Sequence, residues 1–185
     1  MGDFIDFGDV LRAAGSTFET GVIAIWFKPE GPWYNWNSIW DNIIDPNCWE
    51  MWIYDDGRIG ARITYPGSTR VEYDLDNLEG PDYFYHIVFT WVKTGNKKLY
   101  VQGVLRDTEA VVWSESGANV YFGGGHADNT FAKGVMCEIR ISNIERIAAW
   151  HKFEFHNVNA VDNELIWSGE GVPSPNWTPR IIMIS

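Results

Sequence analysis

Short apolar or alternating runs, separated by Gly, Pro, Asn and Asp, recur through most of this chain: residues 22–27, 38–44, 48–54, 58–64, 69–75, 84–92, 98–101, 110–113, 119–122 and 135–141. Side chains alternate between the two faces of an extended strand, so each such run buries one face and needs a second layer to cover it. Many short strands with turn residues between them predict an all-β protein, an antiparallel two-sheet jelly-roll sandwich with one short helix. Trp49, Met51 and Ile53 fall on one face and Glu50, Trp52 and Tyr54 on the other, and after Asp55-Asp56-Gly57 the alternation resumes with Ile59, Ala61 and Ile63. Asp56-Gly57 tolerates positive φ, which predicts a tight hairpin there.

A second hairpin is predicted over residues 85–105. Tyr85, Ile87, Phe89 and Trp91 form the face expected to meet the opposite sheet, and His86, Val88, Thr90 and Val92 form the other. Residues 93–97 turn the chain, and Leu99 and Val101 continue the apolar face on the return. The helix is expected near Ser142-Asn143-Ile144-Glu145, which has the form of a capping box, with Ile144, Ile147 and Ala148 at helical spacing before Trp150.

Residues 1–158 are read as the sandwich and 159–185 as an extended arm. The arm holds Pro173, Pro175 and Pro179, a short strand candidate at 164–167, and the apolar residues Trp167, Trp177, Ile181, Ile182, Met183 and Ile184. It cannot bury these groups by itself, so it is expected to pack on its own domain or on a neighbour. Residues 180–185 read as a strand able to pair with an exposed sheet edge. Trp177, Ile181, Ile182 and Ile184 are therefore the expected assembly residues, and a homo-oligomer or lattice follows.

Charge narrows the partners. With 25 acidic against 14 basic side chains, the net charge is −11, and no run of Lys or Arg offsets it. A phosphate backbone would be repelled over most of the surface, which argues against nucleic acid. The amino-terminal stretch carries acids where a secretory signal needs positive charge, and no segment approaches the roughly 20 apolar residues that span a bilayer. A soluble chain, made in the cytoplasm without a signal peptide and not inserted in a membrane, is expected. Cys48 and Cys137 sit far apart inside apolar runs and read as small buried hydrophobes.

Tyr85-His86-Ile87-Val88-Phe89-Thr90-Trp91 followed by Lys98-Leu99-Tyr100-Val101-Gln102-Gly103-Val104-Leu105 resembles the "WHHVAFTWD … LYVDGVL" signature of laminin G-like domains in the concanavalin A-like lectin/glucanase superfamily. Val22-Ile23-Ala24-Ile25-Trp26-Phe27-Lys28-Pro29 resembles that family's early strand. Val120-Tyr121-Phe122-Gly123-Gly124 resembles its "lyiGg", and Gly134 with Glu138-Ile139-Arg140-Ile141 its "G.iDEvRiY". The patches stand in family order across about residues 18–146. They depart from it at Cys137, where the family has Asp, and at Ser142, where it has Tyr. A loop-supporting or calcium-binding role for that Asp therefore does not transfer.

The resemblance implies a lectin-like fold, and relatives of this fold include β-glucanases. Retaining glycosidases need two carboxylates about 5 to 5.5 Å apart. The nearest pattern is Glu72-Tyr73-Asp74-Leu75-Asp76, which equally reads as a solvated face descending into a turn. No catalytic residue is assigned, no cofactor is expected, and β-glucanase activity is kept as a remote alternative. His86 is read as structural. Asp41, Asn42, Asp45 and Asn47 with Asp128 and Asn129 suggest calcium by residue type, but turn chemistry explains them, and no metal is expected.

The strongest recognition feature is Gly31-Pro32-Trp33-Tyr34-Asn35-Trp36-Asn37-Ser38-Ile39-Trp40. Trp33, Tyr34, Trp36 and Trp40 offer flat apolar faces beside amide groups, which suits a sugar ring, a protein hot spot or the cap of the core. His126, Asp128 and Asn129, in a glycine-rich loop, complete the expected ligand- or partner-binding set. The reading is a non-catalytic structural or recognition protein. It is expected to be a component of a phage or virus particle, working by assembly with copies of itself or other proteins or by surface attachment, and functional on a virion or extracellular surface. The alternative is a carbohydrate- or receptor-binding module of a larger adhesion system, with a cell-surface glycan as partner.

Overall fold

The computed structural model describes residues 5–6, 8–13, 16–30, 37–44, 47–63, 69–78, 83–115, 119–124 and 131–158. Thirteen strands run in chain order among them: β1 (Ile5–Asp6), β2 (Arg12–Ala13), β3 (Ser16–Thr17), β4 (Thr20–Pro29), β5 (Asn37–Ile44), β6 (Asn47–Ile53), β7 (Arg58–Ile63), β8 (Val71–Asp74), β9 (Tyr85–Val92), β10 (Asn96–Val101), β11 (Val104–Ala110), β12 (Tyr121–Phe122) and β13 (Gly134–Ser142). One helix, α1 (Ala148–Val158), follows. A six-stranded sheet has the order β1-β12-β5-β6-β7-β8, a five-stranded sheet the order β11-β10-β9-β4-β13, and β2 pairs with β3. Every pairing is antiparallel. The jelly-roll sandwich read from the alternation is the fold.

The two inner faces meet in one apolar core. The five-stranded sheet supplies Ile23, Ile25, Phe27, Tyr85, Ile87, Phe89, Trp91, Leu99 and Val101, and the six-stranded sheet supplies Trp49, Met51, Ile53, Ile59, Ala61 and Ile63. These are the faces that the sequence alternation selected on β6, β7 and β9. Trp91 is held by more than apolar contact: its indole N–H donates to the Phe18 carbonyl at 2.8 Å, and Trp49 meets it edge-on at 5.0 Å. Gly21 lies directly opposite Trp91 in the β4–β9 register, and a Cβ at that glycine would clash with the indole ring.

Three expectations change in detail. The hairpin at Asp55-Asp56-Gly57 forms with Gly57 at φ 80° and the Tyr54 N–H bonded to the Arg58 carbonyl at 2.8 Å, so glycine alone takes the positive φ. Residues 110–113 were expected as a strand, but β11 ends at Ala110, because Gln102-Gly103 returns the chain at once and pairs residues 104–110 with β10. Gln102 and Gly103 adopt φ of 54° and 70°, the left-handed pair that a two-residue hairpin turn needs. Glutamine is not the usual residue there. Its side chain accounts for it: Oε1 accepts from the His86 backbone N–H at 2.9 Å.

The helix also starts later than expected. Ser142 Oγ accepts from the Ile144 N–H at 3.2 Å, a local turn rather than a helix cap, and α1 runs from Ala148 through the aromatic stretch. Ile144 and Ile147, whose spacing marked the expected helix, precede α1 and are exposed. Cys137, expected buried, is exposed on β13 as a free thiol; Cys48 lies in β6.

Candidate functional site

Helix α1 lies on the outer face of the five-stranded sheet. Phe155 stacks over Trp26 at 5.9 Å and over His86 at 6.4 Å, and His151 sits on Tyr100 at 4.6 Å. Gly103 lets the helix come close: a Cβ there would be 2.8 Å from the Lys152 Cα. The middle of this face is covered, which turns attention to the outer face of the six-stranded sheet.

The register assembles that face. On the side of β6 and β7 turned away from the core, Asp41 pairs with Glu50 and Glu50 with Arg62; in the neighbouring row Ser38 pairs with Trp52, Trp52 with Gly60 and Gly60 with Glu72. Gly60 has no side chain, so the Trp52 ring lies across it, 2.8 Å from where a Cβ would stand. Arg62 stacks on Trp52 at 5.2 Å and pairs with Glu50. Tyr54 meets Trp52 edge-on at 5.6 Å.

At the β7–β8 end the face opens to solvent. The Tyr54 ring carries two guanidiniums, Arg58 at 4.9 Å and Arg70 at 5.6 Å. Arg70 Nη1 donates to the Tyr54 hydroxyl at 2.7 Å, and Glu72 joins both arginines at 3.3 Å and 2.6 Å. Asp56 holds Arg58 from the turn at 2.8 Å. Burial raises the Tyr54 phenol above its ordinary value, against the opposing effects of the Trp52 and Arg70 contacts, so the group stays a neutral hydroxyl at physiological pH. The arginine side chains are 41% and 44% exposed. Exposed ion pairs contribute only about 0–1 kcal/mol each, so the cluster matters less for stability than for what it displays. The Tyr54 ring itself is buried beneath the guanidiniums, and the cluster shows solvent two forks of N–H donors and a carboxylate acceptor, the mixture that binds vicinal hydroxyls and an acidic substituent.

The residues singled out from sequence fall elsewhere. Trp33, Tyr34 and Trp36, His126, Asp128 and Asn129, and Trp177, Ile181, Ile182 and Ile184 lie outside the described residues. Trp40 is a correction: it is fully buried, packed against Phe89 at 6.2 Å and Phe122 at 6.5 Å, because the strand turns its ring into the core and leaves nothing for a partner to touch. The Glu72-Asp74-Asp76 pattern does not lie on one strand. β8 ends at Asp74, whose Oδ1 caps a short 3-10 turn by accepting from the Asp76 N–H, while Glu72 is committed to two arginines. Asp41 and Asn42 are buried within β5, and among the described residues no group of three or more His, Cys, Asp or Glu gathers as a metal site. Also among them, no helix is long and apolar enough to cross a membrane.

Sequence reading missed Tyr54, Arg58, Arg62 and Arg70. The available signal was the pair Trp52 and Tyr54 on the polar side of β6, opposite the polar side of a strand with arginines at both ends.

A laminin G family model, described as the concanavalin A-like lectin/glucanases superfamily, matches residues 5–150. No curated protein sequence matches the chain. Among solved structures, the botulinum neurotoxin serotype D binding domain is similar with a TM-score of 0.69 at 15% identity, covering 84% of this chain and 40% of that one. The same serotype's ligand-binding domain in complex with N-acetylneuraminic acid gives 0.68 at 16% identity, with 84% and 40% covered. The heptameric SAP-like pentraxin of Limulus polyphemus gives 0.58 at 12% identity, with 83% and 82% covered. The chain thus spans about two fifths of the neurotoxin domains it matches, and the likeness is one of fold.

Proposed function

The chain belongs to the concanavalin A-like lectin/glucanase superfamily, and from that premise we propose that it is a recognition module that binds a carbohydrate through the outer face of its six-stranded sheet. The observation that carries this reading is the pair of exposed guanidiniums, Arg58 and Arg70, set over the buried Tyr54 ring and linked by Glu72 at the open end of that face. An acidic sugar presents a rim of hydroxyls and a carboxylate, and this cluster presents two forks of N–H donors beside a carboxylate acceptor. A similar fold captured with N-acetylneuraminic acid supports testing acidic sugars first. The test is a glycan array followed by titration of the best binder. Arg58→Ala and Arg70→Ala should each weaken binding about tenfold, near 1.4 kcal/mol, with the fold unchanged by circular dichroism. Binding that neither substitution alters, or no binding to any glycan, would remove the site.

An assembly role, as a component of a phage or other virus particle, is the second reading. The apolar sequence of residues 159–185 supports it, since the segment carries Trp167, Trp177 and four consecutive apolar residues from Ile181.

A further inference from the structure

Two histidines are buried where α1 meets the five-stranded sheet. His86 projects from β9 beside the rings of Trp26, at 5.1 Å, and Phe155, at 6.4 Å, and is 2% exposed. His151 is the buried residue of α1, fully enclosed against Tyr100. Among the described residues neither His86 Nδ1 nor His151 Nε2 has a hydrogen-bond partner, and His151 Nδ1 faces Glu154 Oε2 at 3.5 Å. Aromatic rings thus join helix to sheet, while Ile147 just before α1 and Trp150 and Phe153 on it are exposed.

We propose that α1 is an acid-released clasp: protonation of the His86 imidazole beneath it lifts the helix from the sheet and uncovers Trp26 and Tyr100, beside the buried apolar cluster of Val22, Ala24 and Val88. The charged groups around the two rings decide the direction. From α1, Glu154 favours an imidazolium; from β13, Arg140 opposes it, and Arg140 is itself paired with Glu138 at 2.8 Å and with Glu154 Oε1 at 3.1 Å. Beside them, Lys98 of β10 pairs with Glu145 at 2.7 Å, β4 contributes the Trp26 ring, and the β10–β11 turn contributes neutral Gln102. Glu154 can offset one added proton, and Arg140 already occupies one of its oxygens. His151 and Arg140 both oppose a charge on His86, so Glu154 only partly offsets a buried imidazolium there.

Desolvation is the main force on His86 and lowers its pKa to about 4 from 6.5. A ring freed from the interface regains the ordinary value and binds more protons, so falling pH favours the opened form. With those values the opening equilibrium rises about 30-fold between pH 7.5 and pH 5. The sheet beneath does not depend on α1, because its other face belongs to the main core.

Amide hydrogen exchange of the full chain at pH 7.5 and pH 5, corrected for intrinsic rates, tests this. Residues 148–158 should lose protection about 30-fold at pH 5 while β4 and β9 keep theirs, and His86→Phe, which preserves the ring stack, should abolish the loss. Gly103→Ala, whose Cβ displaces the helix backbone, should reproduce the acid pattern at pH 7.5. Equal protection of α1 at both values, simultaneous loss in helix and sheet, or a His86→Phe chain that opens like the parent would overturn the proposal. If His86→Phe does not fold, histidine titration by NMR in the parent decides: a His86 ring that protonates while α1 stays protected refutes the clasp.

Discussion

At the scale of single residues, the core depends on pairs that only the register reveals. Trp91 fits because Gly21 stands across from it with no side chain, so the two positions form one packing unit. Trp91→Ala should cost about 3 to 5 kcal/mol, as for other large aromatics removed from cores. Gly21→Ala should cost about 1 to 3 kcal/mol through overpacking, and much less once Trp91 is already alanine. Urea unfolding of the two single variants and the double variant checks this, and additive costs would show that the ring and the glycine are independent. The pH dependence of global stability also starts at single residues. His86 has a folded pKa near 4 against 6.5 unfolded, so its contribution is complete above pH 6.5 and disappears as pH falls toward 4, at most about 3 kcal/mol. Glu154 acts in the same direction. Desolvation would raise its pKa, but the neighbouring His151 and Trp150 side chains and the charge of Arg140 hold it below the ordinary value, so its stabilisation also weakens on acidification. Stability measured by urea at pH 7 should exceed that at pH 5, and His86→Phe should flatten most of the difference.

At the scale of elements, what could be read from the sequence was what repeats every second residue. The inward faces of β6, β7 and β9 follow from alternation alone, because burial on one side of a strand leaves that mark. α1 left no such mark. Its interface is made of His151, Phe155 and Glu154 against rings of the sheet, with Ile147, Trp150 and Phe153 turned outward, so apolar spacing pointed to an earlier start. The candidate site was equally hidden. Tyr54, Arg58, Arg70 and Glu72 come from different strands and a turn, and only the β6–β7–β8 register brings them together. Trp40 shows the converse, since an aromatic-rich run looks like a binding loop until a strand turns one of its rings inward. The β10–β11 turn gives a test at this scale. Gln102→Ala removes the acceptor for the buried His86 N–H and places an alanine in left-handed backbone, so it should destabilise by about 1 to 3 kcal/mol. Gln102→Gly keeps the turn and loses only the hydrogen bond, so in chemical denaturation it should fall between the parent and the alanine variant.

At the scale of the molecule, the last strand among the described residues ends at Ser142, α1 ends at Val158, and the family match ends at residue 150. Residues 159–185 carry two tryptophans and the apolar run from Ile181 to Ile184. Such groups are costly to leave in water, and three prolines restrict the unfolded segment, which lowers the entropy lost when it docks. A chain ending at Val158 should therefore unfold in one cooperative transition with a midpoint close to that of the full chain. If the segment joins copies of the protein, sedimentation should show the full chain as an assembly and the shortened chain as a monomer. The two readouts separate the two roles: a shortened chain that no longer folds makes 159–185 part of the domain, whereas one that folds and keeps the full assembly state rules the segment out as the connector.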